Sequence, residues 1–170
     1  MTIRSDLRWI SNTHDIVKRA LNKLWIIRRL KYLGANTEEL VDIYNKQCRS
    51  IVEFAAPVWN GAITDNEILE IERVQKTALH IILGDQYVTY RNALTKTNLE
   101  TLENRRAKLC LNFARRAEKH KKHQQWFKLR PKTTTRQNNH KYWSVNARTD
   151  RLKRSPIPYL TNLLNRHYSK

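Results

Sequence analysis

The chain has 170 residues, with 33 Lys/Arg against 15 Asp/Glu and a formal net charge of +18. An apolar content of 40% supports the core of one domain, whereas three glycines and four prolines are too few for a turn-rich all-β protein. No apolar run approaches the ~20 residues that cross a bilayer, and the opening MTIRSDLRW lacks the hydrophobic region of a signal peptide.

The charge is segregated along the chain. Residues 1–34 hold eight Lys/Arg against two acids, residues 35–104 six against eleven, and residues 105–170 nineteen against two. Basic flanks around a weakly acidic middle point to a polyanionic partner, above all nucleic acid. Two cysteines, Cys48 and Cys110, fall on apolar helix positions, so they read as reduced core residues of an intracellular protein, nuclear or cytoplasmic.

Residues 1–10 alternate briefly through Ile3, Leu7 and Trp9 and read as half of a hairpin. A first long helix is expected from Ser11–Asp15 to Leu33, stopped by Gly34. Its stripe is Ile16, Ala20, Leu24, Ile27 and Leu30, thickened by Val17, Leu21 and Trp25. Lys18, Arg19, Lys23, Arg28, Arg29 and Lys31 edge that stripe as candidate phosphate contacts.

Asn36 and Glu39 form a capping box for a second helix. Its apolar face runs through Leu40, Ile43, Tyr44, Cys48, Ile51, Val52 and Ala55 to a corner at Pro57 and Trp59. Thr64 and Glu67 form another box, followed by Ile68, Ile71, Val74, Ala78, Ile81 and Ile82, with Gly84 closing the helix. After a short turn of helix to Leu94, a last long helix is expected from Asn98. Leu99, Leu102, Leu109, Phe113 and Ala117 face inward, and Arg105, Arg106, Lys108, Arg115 and Arg116 outward. Acids first and bases last also suit the helix dipole.

Beyond Lys119 the sequence is polar and basic with isolated aromatics, Trp126, Phe127, Tyr142 and Trp143. Such residues serve as packing anchors or as stacking platforms for single-stranded nucleic acid. Ser155–Pro156 starts a short terminal helix with Leu160, Leu163 and Leu164. The expected fold is thus all-α, a bundle of three to four long helices with a loosely ordered basic C-terminal tail. Its divisions are a strand-like 1–10, a helical 11–118 and a basic extension 119–170.

The residues of several chemistries are missing. There is no adjacent Asp pair of the kind that holds polymerase metals, and no glycine-rich phosphate loop. Cys110, His120, His123 and His140 have a Cys-x9-His-x2-His spacing that matches no common zinc site. His14 and His80 read as structural. No catalytic residue, metal or cofactor is assigned.

Residues 21–60, 67–94 and 99–116 together resemble the region after the palm in the reverse transcriptases of jockey-like, non-LTR (LINE-type) retrotransposons. The block Phe54–Trp59, FAAPVW, is the most specific of them, and RTDRLKRSPIPYLTNLLN is similar to the closing motif of the same polyproteins. MTIRSDLRW is similar to the end of their primer-grip strand.

The resemblance implies a thumb domain with a C-terminal extension, cut from the palm that carries the catalytic carboxylates. Such a fragment of an RNA-directed DNA polymerase is not an enzyme by itself. It would bind template–primer nucleic acid (RNA–DNA hybrid, RNA or DNA) with little sequence preference, and a reverse-transcriptase palm in trans is a further partner. Lys18, Arg19, Lys23, Arg28 and Arg29 would face the duplex, with Arg105, Arg106, Arg115 and Arg116 as further contacts. The alternative is a helical protein–protein interaction module derived from the same fragment, meeting a protein through Ile3, Leu7 and Trp9. Neither reading involves a membrane.

Overall fold

A computed structural model describes residues 8–131 and 140–169. The fold is all-α. In chain order the helices are α1 (Ile10–Tyr32), α2 (Thr37–Tyr44), α3 (Ser50–Glu53), α4 (Ala56–Trp59), α5 (Asp65–Leu83), α6 (Tyr90–Thr97), α7 (Leu102–Lys119), α8 (Asp150–Arg154) and α9 (Pro156–Tyr168). An isolated antiparallel bridge joins Leu129 and Tyr142. No described helix is long and apolar enough to cross a membrane. The contacts divide the chain into two compact units, one of residues 1–54 and 63–105, the other of 55–62 and 106–170.

In the first unit α1 packs against α5 and α2. Leu24, Ile27, Leu40, Tyr44, Cys48, Ala78, Leu79, Ile82, Leu83 and Ala93 form its core. The expected stripe of α1 is buried at Ile16, Ala20, Leu24 and Ile27. Gly34 ends the helix at φ +91°, with Ala35 N–H bonded to the Leu30 carbonyl and Gly34 N–H to that of Lys31. Those crossed bonds satisfy carbonyls the helix leaves open. Trp9 is buried rather than exposed for a partner, and Ile3 and Leu7 lie outside the described residues.

Both capping boxes form. Asn36 and Glu39 exchange bonds of 2.9 and 3.0 Å, and the Glu67 carboxylate accepts from Thr64 N–H at 2.8 Å. The second helix is not uniform: a π-helical turn, Asn45–Arg49, joins α2 to α3. Leu40, Tyr44, Cys48 and Val52, four residues apart, are all buried. In an ideal helix each such step drifts by about 40°, and a wider turn takes back that drift so the four stay inward.

Pro57 does not end this helix. Phe54 turns extended, Ala55 adopts the left-handed φ of +53°, and Pro57 then sits within the first turn of α4, where its missing N–H costs nothing. Asn98 likewise does not start a helix. It terminates α6 in the left-handed region, with Leu99 N–H on the Leu94 carbonyl, and α7 begins at Leu102. Asparagine tolerates that geometry better than most residues.

A buried polar network closes this unit. Glu72 accepts the N–H of Leu102 at 3.1 Å and that of Glu103 at 3.3 Å, and it also accepts the Tyr90 hydroxyl. Gln75 donates to Tyr90 Oη at 3.0 Å and to the Glu100 carbonyl at 2.8 Å, while Tyr44 donates to Gln75 at 2.8 Å. Burial pushes both tyrosines' pKa values up, and the bond to Glu72 adds to this at Tyr90.

In the second unit α4 and α8 pack against α9. Asn165 pairs with both backbone groups of Tyr142, at 2.9 and 3.0 Å, fixing the segment after residue 140 to the last helix. Phe127 and Tyr142 are buried as packing anchors, whereas Trp143 is exposed. Cys110 is buried here and Cys48 in the first unit, and burial raises their thiols to about 12 and about 11.

Two substitutions test these contacts. Glu72→Ala leaves buried donors at the start of α7 without their acceptor, and costs about 2–3 kcal/mol in urea unfolding. Gly61→Ala places a methyl 2.5 Å from the Tyr159 ring and 2.9 Å from the Arg154 carbonyl. Such crowding costs about 1–3 kcal/mol, seen as a lower urea midpoint with the slope unchanged.

Candidate nucleic-acid interface

The strength of α1 as a platform comes from its length and its clean division into two faces. Ile16, Ala20, Leu24 and Ile27 anchor one side, so the opposite side is held rigidly toward solvent. Lys18, Arg19, Lys23, Arg28 and Arg29 are all exposed. Lys18 and Arg29 lie opposite the buried stripe, whereas Lys23, seven residues after Ile16, emerges beside it. Arg19 pairs with Asp15 one turn earlier at 3.5 Å, a contact between exposed groups that contributes little stability. Arg29 lies over the ring of Tyr32, 5.6 Å from its centroid. Lys31, by contrast, donates to the Ile81 carbonyl at 2.6 Å near the end of α5.

The same face carries a residue that the sequence reading put on the apolar stripe. Trp25 is 62% exposed. It follows Ile16 by nine residues, which at 3.6 per turn is about half a turn around the axis. It also follows Lys18 by seven and precedes Arg29 by four, so it shares their side of the helix. A wheel drawn from Ile16 would have found it. Trp25, Lys18 and Arg29 together offer a flat apolar ring between two cations, a combination that stacks on bases or sugars while phosphates are neutralised.

The other four candidate cations separate into two kinds. Arg115 and Arg116 are exposed on the last turns of α7. Arg105 is half-buried and donates to Glu53 at 3.1 Å, in a group that also includes Arg49 at 3.4 Å. Arg106 is not outward at all: its side chain is fully buried. Its Nε donates to Asn60 Oδ1 at 2.9 Å, its guanidinium lies 5.8 Å from the Trp59 ring centroid, and Asn60 donates in turn to Tyr159 at 2.9 Å. A buried guanidinium needs such partners, and Arg106 is thereby committed to holding the FAAPVWN corner. Arg105, half-buried, and Arg106, fully buried, differ by one residue of helical phase, about 100°, a distinction too fine for charge counting.

The second unit offers a denser cluster around Glu118. This carboxylate accepts Lys141 Nζ at 2.5 Å and Tyr168 Oη at 2.8 Å. Burial alone would raise its pKa, but the bonds from Lys141, Tyr142 and Tyr168 outweigh it and hold the group below its ordinary value. The bond to Glu118 in turn raises Lys141. Lys141 also lies 4.2 Å from the Tyr168 ring centroid. The cluster joins α7, α9 and the segment after residue 140, and its role is that of a clamp. Among the described residues no group of three or more His, Cys, Asp or Glu is placed to hold a metal ion.

No protein-family model matches the chain, and no match is found among curated proteins or solved structures.

The Glu118 clamp sets a pH dependence with a definite sign. Its folded pKa is depressed, so its contribution is complete above the unfolded carboxylate value of about 4.3 and is lost as pH falls through the folded value. Thermal unfolding followed from pH 7 to pH 3 is expected to show a steeper loss in the native chain than in Glu118→Gln, whose curve starts lower and is flatter.

Proposed function

We propose that the chain is the thumb and C-terminal extension of a jockey-like, non-LTR retrotransposon reverse transcriptase, and that it binds template–primer nucleic acid without catalysing synthesis. The observation that supports this most is the exposed face of α1, where Lys18, Arg28 and Arg29 flank Trp25 on a helix whose other side is firmly buried. A basic helix of 23 residues is about 35 Å long, comparable with the rise of one duplex turn. Arg115 and Arg116 are the remaining candidate phosphate contacts, and Arg105 and Arg106 leave the set.

Five of the fifteen acids support a non-catalytic reading. Glu39 and Glu67 complete capping boxes, Glu72 caps α7, Glu53 binds arginines and Glu118 forms the clamp. Each has a structural partner, and carboxylates so engaged are poorly placed to share two metal ions at a transferring phosphate. In this proposal the catalytic carboxylates belong to a palm, and the site of action is the nucleus or cytoplasm, where template is found.

The test is fluorescence anisotropy of a labelled RNA–DNA hybrid titrated with the chain across salt. Affinity is expected to fall steeply with salt, and a double reversal, Arg28→Glu with Arg29→Glu, should weaken binding about tenfold or more. Losing two phosphate contacts should also flatten the log–log salt slope by about two. Arg115→Glu with Arg116→Glu serves as the comparison. If it alone weakens binding, the face on α1 is the wrong one; if no nucleic acid binds at low salt, the proposal fails.

A further inference from the structure

The second unit contains a groove of about 480 Å³ whose walls are almost entirely apolar. Val58 of α4, Phe113 of α7, Trp126, Leu152 of α8, and Ile157 and Leu160 of α9 line it. The volume falls within the range of about 300–1,000 Å³ typical of ligand-binding clefts. Three prolines among its lining residues stiffen the backbone around it, so the shape is largely formed in advance. Leu152 is 46% exposed, and Phe113 and Ile157 are also exposed. Phe113 had been expected to face the core; it faces this groove instead.

The surrounding charge defines what fits. The residues of this unit, 55–62 and 106–170, include eighteen Lys/Arg and two acids. Both acids are engaged within the unit, Glu118 by Lys141 and Tyr168, and Asp150 by Lys153 at 3.5 Å. Leu152 is flanked by Arg151, Lys153 and Arg154, all exposed. An apolar trough amid uncompensated positive charge is poorly suited to phosphates, which need donors at the point of contact. A lipid surface is met by protruding apolar side chains, whereas this one is recessed.

We infer that the groove is a docking site for an acidic amphipathic helix of a partner protein. Apolar anchors at i, i+3, i+4 and i+7 would enter the trough, and acids along the edge nearest α8 would meet the cations beside Leu152. This interaction is separate from the nucleic-acid reading of α1 and stands without it.

The probe is a fluorescein-labelled synthetic peptide with leucines at those four positions and glutamates on its other faces, titrated against the full chain at near-physiological salt. It is expected to bind at least about tenfold more tightly than a scrambled peptide of the same composition. Leu152→Glu and Ile157→Glu should each weaken it about tenfold while leaving the circular dichroism melt and hybrid binding unchanged. In the unaltered chain, a photoreactive leucine analogue at the central anchor should cross-link to peptides containing Phe113, Leu152 or Ile157. Equal binding of the scrambled peptide, or cross-links confined to other segments, would overturn the inference. So would binding to phosphatidylserine vesicles with none to the peptide, or self-association in sedimentation that Leu152→Glu abolishes; these would give the groove to a membrane or to a second copy.

Discussion

The start of α7 presents backbone N–H groups with no intrahelical acceptor, and the Glu72 side chain meets two of them while also accepting the Tyr90 hydroxyl. Through Tyr90 and Gln75 the same network reaches Tyr44, so one carboxylate ties together α2, α5, α6 and the first turn of α7. Its negative charge also favours the helix N-terminus electrostatically. Hydrophobic burial draws these helices together without direction, but this network fixes how they are rotated and where α7 begins. The face that α1 offers to solvent is fixed in the same way, by packing against an α5 that carries both Glu67 and Glu72.

Acids and bases are used differently in this chain. Glu39, Glu67 and Glu72 serve caps and Glu53 and Glu118 hold basic partners, whereas Lys18, Arg28, Arg29, Arg115 and Arg116 are exposed. Those carboxylates act as acceptors within the fold, while the formal net charge of +18 makes the outer field strongly positive. Association with anionic partners is then fast and salt-sensitive whatever their identity, and discrimination has to come from shape and apolar contact. In the two proposals, Trp25 on one unit and the groove beside Leu152 on the other would supply that discrimination.

Much of this was legible in the residues. Capping boxes at Asn36 and Thr64 involve partners three positions apart, so local spacing was sufficient to read them. The stripes of α1 and α5 follow the helical period for the same reason. What escaped was decided by tertiary position or by fine phase. Arg106 carries a charge that suggests solvent, but its angular position turns it toward Trp59 and Asn60, forty-six residues earlier in the chain. Trp25 is apolar and was grouped with the stripe by composition rather than angle. Asn98 has the chemistry of both a helix start and a helix stop, and only the backbone around it decides. The groove could not be read at all, because Val58, Phe113 and Leu152 share no local pattern.

The two cysteines carry a further consequence. With both thiols buried and pushed to about 11 and 12, almost none of either is thiolate at neutral pH. Both are free thiols, one in each unit. Glutathione and thiol-alkylating dyes are expected to react slowly with Cys48 and Cys110 in the folded chain. A single cysteine placed at an exposed position, such as Trp25 or Leu152, would therefore react far faster than Cys48 or Cys110, and the wild-type background would serve as its own blank.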